Sequence, residues 1–562
     1  MSKQVKTNWF KDAFIYQIYP RSFCDSNGDG IGDLKGIISK LDYLQELGVD
    51  AVWLSPIYKS PNHDNGYDIS DYRDIMDEFG TLDDWKEMID GMHKRGIRLI
   101  MDLVANHTSS DHVWFQESLK GPDNPYSDYY IWADGKGKNG KKPPNNWSSR
   151  FGGTAWEYDE GRKQWYLHLF VKQQPDLNWE NPKVRQEIID ICNYWFDLGV
   201  DGFRCDVITY ISKVPGLPDG KWNPVARGDE MFTHGPRIHE FLNEVNQKSW
   251  SLYDTMIVGE AAGVDVENAI LYTDPARKEM DCVLQFEHFE TCFWNHVVPL
   301  KFNLPKFKKA LSRWQYGLQQ RGWNALYLEN HDQPRSVSLY TPGHGENRVY
   351  AAKMLATAIF MLQGTPFLYQ GQEIGMTNYP LKKYSDCKDV VVDQVRSVLK
   401  PFDKLFEGIA IKVLNKRARD HARTPMQWDD SLNAGFSTAD PWYFVNPNYT
   451  EINVKAALKD PDSILNFYKK LIAFRKGNEI IINGTYQEYN SSHKDVYCYE
   501  RSYNGEKLFV ICNFKNKEVN YKIPAAIAFL SSELKLHNYG YDRPVLQDTV
   551  LRPYEALVYK LL

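Results

Sequence analysis

The chain has 562 residues, more than one compact hydrophobic core usually contains, and this length predicts two or three domains. Its composition, 43% hydrophobic and 25% charged, is typical of a globular protein, and a net charge of −6 without a basic tract argues against a nucleic-acid partner. No apolar run of about 18 residues occurs, so no membrane span is expected. The eight cysteines have no paired spacing and residues 1–9 contain no apolar signal sequence, which predicts a cytoplasmic protein without disulfide bonds.

Eight short apolar segments rich in β-forming residues follow one another along the chain. Most of them precede an amphipathic helical pattern, as at residues 34–47, 82–95 and 182–198. Alternating strands and helices predict an α/β fold, and eight such units predict a parallel (β/α)8 TIM barrel. The predicted strands are residues 13–19, 50–55, 98–104, 200–207, 255–260, 283–287, 324–329 and 366–370.

The loop after the first predicted strand carries side-chain oxygens at regular spacing. Counted from Asp25, positions 1, 3, 5 and 9 are Asp or Asn, position 6 is Gly and position 7 offers a backbone carbonyl, as in an EF-hand loop. Position 12 is Gly36 instead of Glu and no helix precedes the loop, so it is not an EF-hand. We expect either a metal-free loop of Asx turns or a structural Ca²⁺ site. The ligands of such a site are predicted to be Asp25, Asn27, Asp29, Asp33 and the carbonyl of Ile31.

The regular alternation is interrupted after the third and eighth strands, and it changes near the C-terminus. A polar, glycine-rich segment over residues 108–178 predicts a small inserted domain above the barrel mouth, and a second long excursion covers residues 378–448. After residue 484, short alternating strands and an Asn504-Gly505 hairpin turn predict a C-terminal antiparallel β-sandwich domain. The predicted domains are a barrel of residues 1–107 and 179–483, an inserted domain of residues 108–178 and a β domain of residues 484–562.

Carboxylates stand at the ends of three predicted barrel strands: Asp206, Glu260 and Asp332. Residues at the carboxyl ends of barrel strands project into the open mouth, where such folds perform chemistry. Cleavage of a glycosidic bond needs an acid for the leaving oxygen and an anion facing the anomeric carbon. Three carboxylates from three strands therefore indicate a glycosidase site, although each one alone is also compatible with a structural ion pair or an exposed loop.

The neighbours of these carboxylates suggest how the roles are divided. Arg204 lies two residues before Asp206 on the same strand face, and a guanidinium there is expected to keep Asp206 ionised as the nucleophile. Glu260 is followed by small residues, and we expect an acid without a cationic neighbour to retain its proton as the acid/base. Asp332 is predicted either to bind sugar hydroxyls together with His331 or to cap a helix.

Four segments, residues 102–107, 202–206, Glu260 and residues 330–332, together resemble the signature blocks of the α-amylase superfamily, glycoside hydrolase family 13. Residues 13–23, 174–179 and 422–428 are similar to its oligo-1,6-glucosidase and α-glucosidase branch, and the resemblance covers essentially the whole chain. It implies a retaining mechanism with Asp206 as nucleophile, Glu260 as acid/base and Asp332 as transition-state stabiliser. The loop of residues 25–33 also resembles the structural calcium loop of this branch.

The resemblance further implies which residues bind the terminal glucose. Asp64 and Arg423 are expected to pair across the 4-hydroxyl group, which closes the pocket and makes the enzyme exo-acting. Val207, after the nucleophile, is the residue that accompanies α-1,6 bonds in this family. The implied glucose-binding residues are Asp64, Tyr67, His107, Arg204, His331 and Arg423, with Phe151, Phe170, Gln174, Phe286 and Arg419 as further contributors.

Several related activities remain open alongside an α-1,6-glucosidase acting on isomaltose and isomalto-oligosaccharides. Cys205, Ala261 and Glu329 depart from the family pattern and are expected to alter the acceptor side of the pocket. The alternatives are a broader α-glucosidase acting on maltose and sucrose, a sucrose isomerase or other transglycosylase, and a trehalose-6-phosphate hydrolase. The last requires basic residues near the mouth, for which Lys213, Lys382 and Lys383 are candidates.

A non-catalytic barrel of the kind that accompanies membrane transporters is a further alternative. Such proteins carry a membrane anchor, which is not expected here because the sequence shows no apolar span, and they can lose catalytic groups that are present in this sequence. The expected partner is a small oligosaccharide, with no organic cofactor, and we expect a monomer.

Overall fold

The computed structural model describes residues 6–223, 226–294, 298–389, 392, 396, 403–539 and 545–562. Eight parallel strands form the central sheet, in the order β6-β5-β4-β3-β2-β1-β8-β7. A parallel bridge between Val283 and Asn324 joins β6 to β7, so the sheet closes into the predicted barrel. The strands are β1 Ile15–Ile18, β2 Ala51–Leu54, β3 Arg98–Val104, β4 Gly202–Asp206, β5 Met256–Glu260, β6 Cys282–Leu284, β7 Ala325–Leu326 and β8 Thr365–Tyr369.

Amphipathic helices surround the barrel and bury their apolar faces against it. The predicted helix over residues 34–47 is instead two helices, because the Ser39 hydroxyl bonds to the carbonyl of Gly36 (2.7 Å) and Lys40 leaves helical geometry. The outer helices are Leu34–Ile38, Leu41–Leu47, Leu82–Lys94, Pro182–Asp197, Ile238–Lys248, Val266–Thr273, Leu304–Leu318, Arg348–Phe360 and Ile464–Arg475. A further long helix, Asp403–Arg417, lies in the excursion after β8. The shorter helices are Val113–Ser118, Asp229–Phe232, Glu287–Glu290, Ser336–Tyr340, Val454–Lys459 and Glu479–Ile482.

The segment between β3 and β4 contains a small antiparallel sheet of its own. A backbone bridge between His107 and Asp176 joins this segment to the residues that follow β3, and a bridge between Tyr130 and Leu177 joins two parts of the segment itself. Its three strands are Trp132–Ala133, Gln164–Leu167 and Trp156–Asp159 in spatial order, and short hairpins elsewhere pair Tyr58–Lys59 with Asp71–Ile75 and Phe293–Trp294 with Val298–Pro299. The proposed bounds of the inserted domain stay a prediction.

The C-terminal part is antiparallel, as predicted, and packs against the barrel. Asn504 and Gly505 both have positive φ (49° and 85°), which is the backbone geometry of the predicted hairpin turn. Lys308, on an outer barrel helix, donates to the carbonyls of Asn490 and His493 (both 3.0 Å) and thus joins the two parts. The five-stranded sheet has the order Thr485–Tyr489, Val496–Tyr503, Glu506–Asn513, Ala556–Leu561 and Ser532–His537, and Val519–Tyr521 pairs with Thr549–Leu551.

No helix within the described residues is both long and apolar enough to cross a membrane.

Candidate active site

The three predicted carboxylates meet at the barrel mouth. Asp206 is the last residue of β4, Glu260 is the last residue of β5, and Asp332 follows β7. Asp206 and Glu260 are almost fully buried, whereas the Asp332 side chain is 27% exposed. The parallel strands bring together residues that are far apart in sequence, because all their carboxyl ends open on the same side of the barrel.

Arg204 connects the two buried carboxylates. Its Nη1 atom donates to Asp102 Oδ1 (2.8 Å) and Asp206 Oδ1 (2.6 Å), and its Nη2 atom lies 2.6 Å from Glu260 Oε2. The expectation that Glu260 lacks a cationic neighbour is therefore wrong. Residue 204 pairs with Val258 of β5, and the guanidinium is long enough to reach the end of that neighbouring strand.

Burial sets the acidity of this pair. Burial removes water from Asp206 and raises its pKa to about 6, although the charge of Arg204 acts in the opposite direction. The prediction that Arg204 keeps the pKa of Asp206 low is therefore wrong. Burial, with a further contribution from the negative charges of Asp206 and Asp332, raises the pKa of Glu260 to about 7. Near neutral pH Glu260 therefore carries a proton more readily than Asp206 does, which is the division of charge that a retaining glycosidase needs.

The backbone after Asp206 is turned toward Glu260. Val207 adopts the left-handed conformation (φ 35°, ψ 40°), which is rare and strained for a β-branched residue. In this conformation its N–H donates to Glu260 Oε2 (3.1 Å), the same oxygen that Arg204 contacts. Two donors thus fix one oxygen of the glutamate.

Asp332 is held on its other side by two arginines. Its Oδ1 atom accepts from Arg419 Nη1 (3.0 Å) and Arg423 Nη2 (2.9 Å), and its Oδ2 atom lies 3.2 Å from His331 Nε2. Burial opposes ionisation, but the contact with His331, which includes a hydrogen bond, and the positive charges of Arg419 and Arg423 outweigh it and hold the pKa of Asp332 well below its usual value. Asp332 is therefore the most firmly ionised of the three carboxylates.

His331 is fixed by hydrogen bonds to both ring nitrogens. Gln17 lies 2.8 Å from Nδ1 and the Tyr67 hydroxyl 2.8 Å from Nε2, while the Tyr67 and His331 rings stack at 5.5 Å. The Tyr67 hydroxyl also contacts Asp102 Oδ2 (3.1 Å), which links this pair to Arg204. Burial lowers the pKa of His331, which favours the neutral ring.

A cluster around Gln174 brings together several of the remaining predicted residues. Gln174 Nε2 contacts Asp64 Oδ2 (3.2 Å) and His107 Nε2 (3.1 Å). The Phe170 ring lies 5.1 Å from His107 and 5.8 Å from Phe151. Phe286 follows β6 at the same mouth, where its ring lies 6.3 Å from that of Tyr327. Polar groups of Asp64, His107 and Gln174 thus lie beside the Phe151 and Phe170 rings, the composition expected of a sugar-binding pocket.

An ion pair lies at one end of the pocket. Asp64 pairs with Arg419 (3.5 Å), whose guanidinium lies over the Phe151 ring at 5.3 Å. Arg423 instead faces Asp332 and Asp389, whose carboxylates lie closer to it. The predicted contact of Asp64 and Arg423 with the 4-hydroxyl group of the terminal glucose stays a prediction.

Comparison with known proteins agrees with this geometry. A family model described as the alpha amylase catalytic domain matches residues 17–484. The chain belongs to the alpha-amylase family. This family member is a glycoside hydrolase, since an oligo-1,6-glucosidase of Parageobacillus thermoglucosidasius is 54% identical to it over 98% of this chain and 99% of the relative.

Two solved structures are similar to this alpha-amylase family member and have other names. The trehalose-6-phosphate hydrolase of Bacillus licheniformis matches with a TM-score of 0.93 and 46% identity over 98% of this chain and 99% of that chain. The trehalulose synthase MutB of Pseudomonas mesoacidophila MX-45 matches with a TM-score of 0.93 and 40% identity over 99% of this chain and 100% of that chain. The family and the class of enzyme are thus established, and the resemblance seen in the sequence is confirmed.

Two residues of the family member's pocket escaped sequence analysis. Gln17, inside β1, orients His331, and Asp389, in the excursion after β8, contacts both Arg419 and Arg423. The residues around Asp389 carry no motif, so only the fold reveals it. Gln17 offered one signal, since a glutamine is unusual inside an otherwise apolar strand.

The loop of residues 25–33 is ordered by hydrogen bonds. Asp25 accepts from the backbone of Asn27 (3.0 Å), Gly28 (2.8 Å) and Gly30 (2.8 Å). Burial opposes this, but these bonds and one from Ser437 hold the pKa of Asp25 below its usual value. Asp33 accepts from Gly36 N (2.6 Å) and caps the helix that follows. Within the described ranges, no cluster of three or more His, Cys, Asp or Glu side chains has metal-binding geometry.

Proposed function

We propose that this enzyme is a retaining, exo-acting α-glucosidase that prefers the α-1,6 bonds of isomaltose and short isomalto-oligosaccharides. The observation that carries the proposal is the Arg204 guanidinium, which contacts both Asp206 and Glu260 and so places the two carboxylates at one point of the mouth. The high identity to an oligo-1,6-glucosidase supports the linkage.

The reaction proceeds in two steps at the anomeric carbon. Asp206 attacks this carbon and forms a glucosyl ester, while Glu260 gives its proton to the departing oxygen. Glu260 then takes a proton from a water molecule, which attacks the ester and releases α-glucose and free Asp206. Asp332, ionised under these conditions, accepts hydrogen bonds from sugar hydroxyls and stabilises the positive charge that develops on the ring.

The closed end of the pocket accounts for exo action. Asp64 and Arg419 bridge the wall beside Phe151, and Gln174 ties Asp64 to His107. A sugar chain cannot continue through this wall, so the residue bound there is the non-reducing terminal glucose. Arg419 supplies donors and Asp64 supplies acceptors for the hydroxyl groups of that glucose.

We expect Val207→Ala to raise the ratio of maltose to isomaltose hydrolysis by about tenfold, because removal of two methyl groups changes the acceptor side of the pocket. The ratio of kcat/KM values for the two disaccharides measures this. Val200→Ala, two residues before the start of β4 and likewise buried, is the matched control and should leave the ratio unchanged. An unchanged ratio in the Val207 variant removes Val207 from the linkage argument.

The main alternative is hydrolysis of trehalose 6-phosphate, because a hydrolase with that name shares the fold at 46% identity. Lys213 does not support it: its Nζ is buried, 2.8 Å from Asp176 Oδ1 and 2.8 Å from Asn106 Oδ1, and so is committed to the protein. Incubation with isomaltose, maltose, sucrose and trehalose 6-phosphate, with the products resolved on one chromatogram, tests the proposal. Glucose from isomaltose supports it, whereas glucose 6-phosphate or a sucrose isomer as the dominant product contradicts it.

We also propose that the loop of residues 25–33 binds a structural Ca²⁺. Asp25, Asn27 and Asp29 are oxygen donors of the kind that Ca²⁺ prefers, and the low pKa of Asp25 favours its charged form. Asp33 and the Ile31 carbonyl complete the proposed set. The ion would tie this loop to Ser437, which already bonds to Asp25, at a distance from the reacting carbon.

Chelation is expected to lower Tm by about 5 °C without changing kcat at a temperature far below Tm, because the ion stabilises only the folded loop. Scanning calorimetry with EDTA, with Ca²⁺ restored and with Mg²⁺ in its place, measures this. Asp29→Ala should abolish the response to EDTA. A protein with no calcium by elemental analysis and an unchanged Tm excludes the site.

We further propose a cytoplasmic monomer. All eight cysteines are free thiols, seven of them buried, which suits a reducing compartment. Light scattering coupled to size-exclusion chromatography measures the mass, for which 65.4 kDa is expected.

A further inference from the structure

Asp389 lies behind the glucose pocket and joins two arginines. It is 5% exposed, and its carboxylate contacts Arg419 Nε at 3.0 Å and 2.9 Å through its two oxygens. The Oδ2 atom also contacts Arg423 Nη1. Each guanidinium therefore has one edge anchored on the same buried carboxylate.

The opposite edges of the two guanidinium groups face the pocket. Arg419 Nη1 and Arg423 Nη2 both donate to Asp332 Oδ1, at 3.0 Å and 2.9 Å. Arg419 Nη2 lies 3.5 Å from Asp64. Because a guanidinium is planar and rigid, anchoring one edge fixes the direction of the other. Asp389 thus fixes the two guanidinium groups that hold Asp332 Oδ1, while Asp332 Oδ2 faces His331 Nε2 at 3.2 Å.

Charge makes this anchor necessary. Arg419 and Arg423 are both buried and lie close enough for their positive charges to oppose each other. Arg417 is a third cation nearby, partly exposed, and desolvation together with the charge of Arg419 lowers its pKa to about 10. A buried charge that loses its partner is strongly destabilised, so without the Asp389 carboxylate the two guanidiniums would separate or admit water.

We propose that Asp389 is a positioning residue that acts through Arg419 and Arg423 to aim Asp332 at the glucosyl ring, without touching the substrate itself. This inference rests on the proposed glucosidase function. Asp332 interacts most strongly with the charge that develops in the transition state, so loss of Asp389 affects kcat more than KM.

Asp389→Asn keeps the shape of the side chain and removes its charge. We expect it to lower kcat/KM for p-nitrophenyl α-glucoside by about 10- to 100-fold, mostly in kcat, as for a small misplacement of a catalytic group. Asp389→Glu restores the charge and should recover part of the loss. Asp281→Asn is the matched control: it removes another ion-paired carboxylate, 12% exposed and 2.5 Å from Lys6 at the opposite end of the barrel, and should lower Tm with little change in kcat.

Two further measurements separate positioning from general stability. In an Arg419→Ala background the effect of Asp389→Asn should shrink, because residues that act as a unit are not additive. Calorimetric binding of deoxynojirimycin, a cationic mimic of the charged ring, should weaken more than binding of glucose, and this readout needs no turnover. The positioning role is overturned if the kcat losses of the Asp389 and Arg419 variants are additive, if deoxynojirimycin and glucose lose affinity equally, or if kcat of Asp389→Asn is as little changed as that of Asp281→Asn. The proposed function is tested separately, by the products that the unaltered enzyme forms.

Discussion

Replacement of Asp206 by alanine is expected to reduce kcat on isomaltose by about 10⁴-fold or more, because the covalent intermediate can no longer form. The Asp206 side chain is buried at the end of β4 and paired with Arg204, so its removal leaves the reaction without its nucleophile. Initial rates of glucose release, measured with enzyme shown by circular dichroism to be folded, test this expectation.

Azide provides the control for the Asp206→Ala variant. With p-nitrophenyl α-glucoside the azide ion can enter the space left by the carboxylate and attack the anomeric carbon, while Glu260 still supplies the proton. The product should be β-glucosyl azide, formed with inversion, at a rate above that without azide. Full turnover of the alanine variant, or α-glucosyl azide as its product, contradicts the assignment of Asp206 as nucleophile.

Replacement of Glu260 by alanine is expected to reduce kcat on isomaltose by about 10²- to 10⁴-fold and to change the pH profile. The unaltered enzyme needs Asp206 ionised, so activity rises with pH through a pKa of about 6. It also needs Glu260 protonated, so activity falls as pH rises through a pKa of about 7. The bell is therefore narrow, with its maximum between the two values, and both limbs belong to the coupled pair. The variant should lose the alkaline limb.

The leaving group distinguishes acid catalysis from a loss of structure in the Glu260→Ala variant. Departure of p-nitrophenol needs little proton assistance, so the pre-steady-state burst with the nitrophenyl glucoside should be nearly retained while hydrolysis of isomaltose is lost. Azide should then yield α-glucosyl azide by attack on the glucosyl ester. Equal losses in both substrates, or an alkaline limb that persists, contradict the role of Glu260.

The barrel could be predicted because each central strand is a short apolar run followed by a helical pattern, and the barrel end at which a strand terminates is fixed by its direction. The placement of Arg204 and Asp206 on one face follows from the two-residue period of a strand. The strand β7 is shorter than predicted, since Glu329 leaves the sheet and pairs with Arg335 (3.0 Å). Such a departure depends on a distant partner that the local pattern does not show.

The parts of the pocket that could not be predicted depend on contacts between segments far apart in sequence. The bridge from Arg204 to Glu260 requires the register of β4 and β5, and the anchoring of Arg419 by Asp389 requires the path of the long excursion after β8. The left-handed backbone at Val207 is disfavoured by its β-branched side chain, so the local sequence predicts a different conformation there. In each case the surrounding fold overrides the preference of the residue.

Stability and linkage selectivity make opposite demands on Val207. A β-branched residue at positive φ costs about 1 kcal/mol or more of folding free energy, which glycine would recover. The same glycine would delete the methyl groups that we connect with the choice of linkage. A gain in thermal stability at this residue is therefore expected to cost linkage selectivity. Substitutions intended to raise Tm are better placed elsewhere in the barrel.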